Sequence, residues 1–229
     1  MYLLLVIIAS VFSMWAGAKV NSTFNKYSKV PTRRNLTAAQ AARMILDQNG
    51  LTNVSIEAIQ GNLTDHYDPK ANVIRLSDSV RNSTSVAAVG VAAHEAGHAV
   101  QHAVGYVPIK VRNSIVPVAN FGCRFGPYLI ILGFILYYMG TLSYILMDVG
   151  ILFFAASVAF QLITLPVELD ASNRAIKILG GSGYLESDEV PAVKKVLGSA
   201  AMTYVAAAAV SVANLLRFMA LANGRRRNN

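Results

Sequence analysis

Between Pro127 and Val167 the chain carries one charge, Asp148, in a run long enough to cross a bilayer twice. A hydrocarbon core takes about 20 helical residues. Pro127–Met147 and Val149–Val167 each supply roughly that length, so the run reads as a transmembrane hairpin (127–167) with its tight turn at Asp148. In lipid each backbone amide must be satisfied inside its own helix, which leaves few other folds for such a run. A hairpin returns the chain to the side it left. Residues 19–126 and 168–199 are therefore expected to share one face of the membrane and to form two pieces of one domain.

Two more apolar runs flank this plan. Met1 to Ala18 has no charge and no basic residues ahead of its apolar stretch, unlike a secretory signal. Lys19, Lys26, Lys29, Arg33 and Arg34 follow it. Segment 1–18 is read as an N-terminal anchor, with the basic segment in the cytoplasm. Lys110, Arg112, Arg124, Arg174 and Lys177 favour the same side for the hairpin's flanks. Segment 200–229 holds the apolar Ala200–Ala222, broken by Arg217 and followed by Arg225-Arg226-Arg227. A crossing would carry three arginines outside, so a membrane-associated helix is preferred and a fourth transmembrane helix stays open. Charged residues are 14% of the chain, against about 25% in ordinary globular proteins. An integral cell membrane protein is expected. The net charge of +8 suits anionic lipid. No basic stripe with interleaved aromatics argues for nucleic acid. Cys123 is the single cysteine, so no intrachain disulfide or zinc knuckle is available.

His94-Glu95-Ala96-Gly97-His98 reads HExxH. The small apolar stretch Ser85–Ala93 before it (SVAAVGVAA) holds no proline, so the motif belongs inside a helix. Residues four apart share a helix face, and two imidazoles can then grip one zinc ion at roughly 2.0–2.1 Å. Glu95, one position round, would face the ion without binding it. It is the expected general base for a water whose pKa zinc lowers to about 7. The chain has 4 histidines, which makes this pairing around a glutamate a poor coincidence.

The region around the motif reads as a small α+β piece. Thr37–Gln48 is expected to be a helix, with Thr37 as N-cap and Asn49-Gly50 as stop. Val54–Ile59 and Asn72–Leu76 read as strands, with a turn at Asp65–Pro69 between them. The strand Asn72–Leu76 is a candidate sheet edge for pairing with an extended substrate.

A catalytic zinc needs a third protein ligand. The HExxHxxGxxH spacing fails, because Gln101 and Val104 occupy its last two positions. His102 lies eight residues from His94, about 12 Å along a helix, too far to share an ion. A carboxylate remains. Glu168 follows the second hairpin arm, and Asp170 is its alternative. A carboxylate so close to hydrocarbon is costly unless paired or bound to metal. Ser172 and Asn173 share its helix face and are candidates to hydrogen-bond a ligand imidazole. His66, Tyr67 and Arg174 are candidates to stabilise an oxyanion.

These residues resemble the YugP-type family of membrane zinc metallopeptidases. The likeness rests on DHYDP (Asp65–Pro69), VIRLS (Val73–Ser77), SVAAVGVAAHEAGHAVQ (Ser85–Gln101) and ELDASNRA (Glu168–Ala175), and covers essentially the whole chain. More distantly the chain is similar to HtpX-type peptidases, where a membrane hairpin also separates HExxH from a glutamate in an ExxAD pattern. Glu168 and Ala171 fit that pattern; Ser172 stands where it has Asp. The resemblance implies a gluzincin: Zn2+ on His94, His98 and Glu168, Glu95 as base, and a peptide or protein as substrate. It implies a mainly α membrane protein with a small α+β zincin-like catalytic domain. A homo-oligomer or a membrane-protein partner stays open. Two rivals remain: a site-2-type intramembrane protease using Leu169-Asp170, and a zinc-stabilised scaffold without activity. Ala171 in place of the usual glycine weighs against the first, and Glu95 against the second.

Overall fold

The computed structural model describes residues 2–227; Met1 of the expected anchor and Asn228-Asn229 of the tail lie outside the described residues. The side chains of Arg225, Arg226 and Arg227, on which the charge argument for the last segment rests, also lie outside them. The chain is mainly helical. Its elements run α1 (Tyr2–Tyr27), α2 (Ala38–Gln48), β1 (Ser55–Ile59), β2 (His66–Asp68), β3 (Val73–Ser77), α3 (Asp78–Arg81), α4 (Val86–Ala103), α5 (Val107–Ile135), a 3₁₀ turn (Tyr137–Met139), α6 (Thr141–Gly181) and α7 (Val190–Arg227). They form two compact units.

The apolar unit holds the chain up to Trp15, Lys110–Pro166, and the chain from Thr203 onward. Among the described residues four helices are long and apolar enough to cross a membrane: Tyr2–Tyr27, Val107–Ile135, Thr141–Gly181 and Val190–Gly224. Leu3, Ile7, Leu132 and Leu152 are exposed, as lipid-facing side chains would be.

The hairpin turn is not at Asp148. It falls at the 3₁₀ turn and Gly140, whose φ of 57° and ψ of −124° favour glycine. Asp148 sits inside α6, and α5 begins at Val107, twenty residues before the expected span. Charge marks which residues avoid lipid; it does not mark where a backbone can reverse. Pro117 and Pro127 lie within α5 without ending it. The two arms pack through glycines. A Cβ on Gly126 would lie 2.9 Å from the Gly150 carbonyl oxygen, and one on Gly150 2.7 Å from that of Gly126. Small residues let membrane helices approach this closely.

The polar unit holds Ala16–Ile109 and Val167–Met202. Helix α2 starts at a capping box, in which the Thr37 side chain accepts from Gln40 N while the Gln40 side chain accepts from Thr37 N. The sheet order is β1-β3-β2, with β1 parallel and β2 antiparallel to β3. This changes two expectations. His66–Asp68 is a strand, and the turn lies just after it. There Asp68 accepts from Lys70 N and Ala71 N, and Asn72 takes a φ of 56°. The segment Asn72–Leu76 supplies most of the central strand, and Val73, Ile74 and Arg75 are paired on both sides, so it is not the sheet edge expected. The alternating pattern that identifies a strand does not say which strands flank it.

Ile45 and Leu46 of α2, Ile74 and Leu76 of β3, and Val86 and Val89 of α4 fill the core of this unit. Each full burial of such a side chain stabilises by about 1.5–3 kcal/mol. Helix α4 runs through that core with Ala88, Ala92, Ala93 and Ala96 fully buried, so neighbouring backbone can come close.

Candidate metal centre

Helix α4 begins at Ser85, whose hydroxyl accepts from Ala88 N at 3.2 Å. About three turns on, Gly97 meets α6. A Cβ there would stand 2.5 Å from the Ala171 carbonyl oxygen, closer than such atoms approach. The bare glycine lets α6 lie against the HExxH face, and Ala171 is flanked on its own helix by Glu168 and Ser172.

The result is a three-residue cluster. Glu168 Oε2 lies 3.2 Å from His94 Nε2 and 3.4 Å from His98 Nε2. Glu168 is only 3% exposed. Among the described residues His94, His98 and Glu168 are the group whose ligand atoms converge for a metal ion. Their spacing suits zinc. Ligands at about 2.0–2.1 Å on a tetrahedron stand about 3.3 Å from one another.

Hydrogen-bond accounting points the same way. Gln101 is fully buried, and its Nε2 donates to Val167 O and to Asp170 Oδ2, both at 2.8 Å. That fixes the amide, so Oε1 faces His98 Nδ1 at 3.0 Å and can only accept. His98 therefore carries its proton on Nδ1 and turns the Nε2 lone pair toward the Glu168 carboxylate. Two acceptors this close need a cation between them, a proton or a metal. Ser172 Oγ lies 3.0 Å from His94 Nδ1 and leaves His94 Nε2 toward the same point. This is the position where the ExxAD pattern has Asp. Burial alone would lower the His98 pKa. The Glu168 hydrogen bond and the charges of Glu95 and Glu168 outweigh it, and the pKa is raised.

The family follows from a match over the chain's length: residues 2–223 fit the family described as "Putative neutral zinc metallopeptidase". The chain belongs to this family. It is also 48% identical over 229 residues, all of both chains, to a Bacillus subtilis (strain 168) protein named "Putative membrane protease YugP". No solved structure matches it.

The remaining residues of this zinc metallopeptidase family member fall into place around the cluster. Glu95 is 8% exposed, and its Oε2 accepts from the backbone N–H of Tyr67 at 3.0 Å. Strand β2 is thus tied by its outer edge to the HExxH helix. Among the described residues Glu95 Oε1 has no hydrogen-bond partner. Tyr67 itself points its hydroxyl at Asn72 Oδ1, 3.1 Å away, with its ring 5.5 Å from that of His102. Burial first, and then the Asp68 charge, raise its pKa, so it is a neutral donor there. His66 binds Thr64 O through Nδ1 and faces Arg75 through Nε2. Arg174 donates to Asp170 at 2.6 Å and sits over the Tyr106 ring. Asn173 lines a groove between α6 and α7. Asp170, the ligand of the site-2-type alternative, is engaged with Gln101 and Arg174 instead.

Gln101 is the residue that sequence reasoning missed. Its signal was present: it lies three residues after His98, on the same helix face, in an otherwise apolar surrounding. A buried amide needs partners, and a histidine one turn away is the nearest.

Proposed function

We propose that this protein is a membrane-embedded zinc metalloendopeptidase of the gluzincin type. Helix α1 would be its anchor, α5 and α6 its membrane hairpin, and Ala16–Ile109 with Val167–Met202 its catalytic part on the cytoplasmic face. The observation that carries the reading is the pair of 3.2 and 3.4 Å separations from Glu168 Oε2 to the two imidazoles. His94, His98 and Glu168 would hold zinc. When bound, zinc supplies Lewis acidity, acidifying a water and polarising a carbonyl.

The rest belongs to the chain's own groups. Glu95 Oε1 takes the proton of the attacking water and returns it to the leaving amine nitrogen. The Tyr67 N–H holds the other carboxylate oxygen, so Glu95 need not reorient during the transfer. Gln101 sets the tautomer of His98, and Ser172 holds the orientation of the His94 ring. This reading is supported over the two alternatives by Asp170, which is engaged with Gln101 and Arg174, and by Glu95, which is buried beside the cluster.

The test is zinc content together with casein cleavage in detergent. Wild type should hold near-stoichiometric zinc and cleave. Glu95→Gln should keep zinc and lose turnover, and Glu168→Ala should lose both. A zinc-loaded, fully active Glu95→Gln protein would refute the mechanism.

A further inference from the structure

Leu169, Ser172, Asn173, Ile176 and Lys177 form one stripe along α6, and Lys194, Leu197, Gly198 and Ala201 form a facing stripe on α7. A groove of about 510 Å³ lies between them. Its lining is mainly apolar, with Lys177 contributed by α6 and Lys194 by α7. Among the described residues neither ammonium has a carboxylate partner. Asp188 and Glu186 pair with Arg33 and Arg34, and Asp170 pairs with Arg174. The groove is therefore an apolar channel with uncompensated positive charge, and it shares Ser172 with the candidate metal centre.

We infer that this groove receives a substrate segment bearing a carboxylate side chain, an inference that rests on the peptidase reading above. The spacing sets the position. Lys177 lies nine residues beyond Glu168 on one helix, about 13.5 Å at 1.5 Å per residue. An extended peptide covers that in about four residues at roughly 3.3 Å each. The acidic residue belongs three or four positions from the cleaved bond. The apolar lining holds the residues between, and both lysines face the carboxylate.

The test uses the full chain in neutral detergent and paired fluorogenic peptides, alike except for Glu or Gln at the third or fourth position on either side of the cleaved bond. For one of these positions the Glu peptide should show a KM lower by about 2–30-fold, shrinking as salt is raised. Lys177→Gln/Lys194→Gln should abolish the preference, and Lys177→Glu/Lys194→Glu should transfer it to a Lys peptide. Cleavage without any preference, or a preference that survives in the double variants, overturns the groove alone. Binding of the same peptides to Glu95→Gln protein, read by anisotropy, separates the two readings. Lysine-dependent binding of the Glu peptide with no turnover by wild type would keep the groove and sink the peptidase. If the lysine variants change flotation with phosphatidylglycerol vesicles but leave peptide preference intact, the groove contacts lipid and the inference is wrong.

Discussion

Gly97→Ala isolates the contact that assembles the metal centre. Helix propensity alone would make this change stabilising, by about 1 kcal/mol for glycine to alanine in a helix interior. The structure reverses the sign. The new Cβ would stand 2.5 Å from Ala171 O and 3.2 Å from Ala171 C, both rigid backbone atoms of α6. Relief needs α4 and α6 to part by roughly 0.7–0.9 Å, and overpacking of this kind costs about 1–3 kcal/mol. Glu168 moves with α6 while the imidazoles stay with α4. Their 3.2 and 3.4 Å separations would widen toward about 4 Å, beyond the roughly 0.2 Å tolerance of zinc–ligand distances. Zinc affinity should fall about 10–100-fold, measured by competition with a chromogenic chelator in detergent. Gly90→Ala on the same helix is the control. Its Cβ would meet the Val193 side chain, Cγ1 at 3.3 Å and Cγ2 at 4.0 Å, and no backbone of α6. Wild-type zinc affinity in Gly97→Ala, or equal losses in both variants, would refute the close-contact account.

Gln101→Leu should weaken zinc by about 10–100-fold, because the His98 Nδ1–H loses its acceptor; Gln101→Glu should retain more zinc but melt lower, since its carboxylate faces that of Asp170. Chelator titration and thermal unfolding separate the two. Asp68 has its pKa lowered to about 2, first by the Arg75 hydrogen bond and then by those of Ala71 and Lys70. A lowered folded pKa contributes stability above the unfolded value, lost as pH falls from about 4 to about 2; acid unfolding of Asp68→Asn should lack this part of the pH dependence. In the membrane hairpin, a Cβ on Gly122 would collide with the Phe153 carbonyl. Gly122→Ala should destabilise the fold by at least the roughly 1–3 kcal/mol typical of overpacking, read as a lower thermal midpoint in detergent.

Much of this architecture could be read in the chain, and the failures share a cause. Helix α2 ends where Thr37 and Asn49 predict, because capping is a local chemistry of a few residues. The HExxH helix and the partnership of His94 and His98 follow from the period of the helix. The turn at Gly140 has no local mark, because the 127–167 run is uniformly apolar and its one charge, Asp148, lies within a helix. Strand β2 read as a turn because DHYDP carries turn residues, and its strand state depends on pairing His66 with Arg75 and Asp68 with Val73, partners that local pattern does not name.

The candidate metal centre shows the same division more sharply. Which residues can bind zinc is a property of residue types, so His94, His98 and Glu168 were nameable. Which way each imidazole presents its lone pair depends on Gln101, Asp170 and Ser172, which act through contacts between α4 and α6. Asp170 makes the point best. By residue type it competes with Glu168 for the ligand position, two residues away. On the helix that offset turns it toward Gln101 and Arg174, where it fixes the amide that fixes His98. A ligand and the group that orients another ligand are thus chemically alike, and only helix phase decides between them.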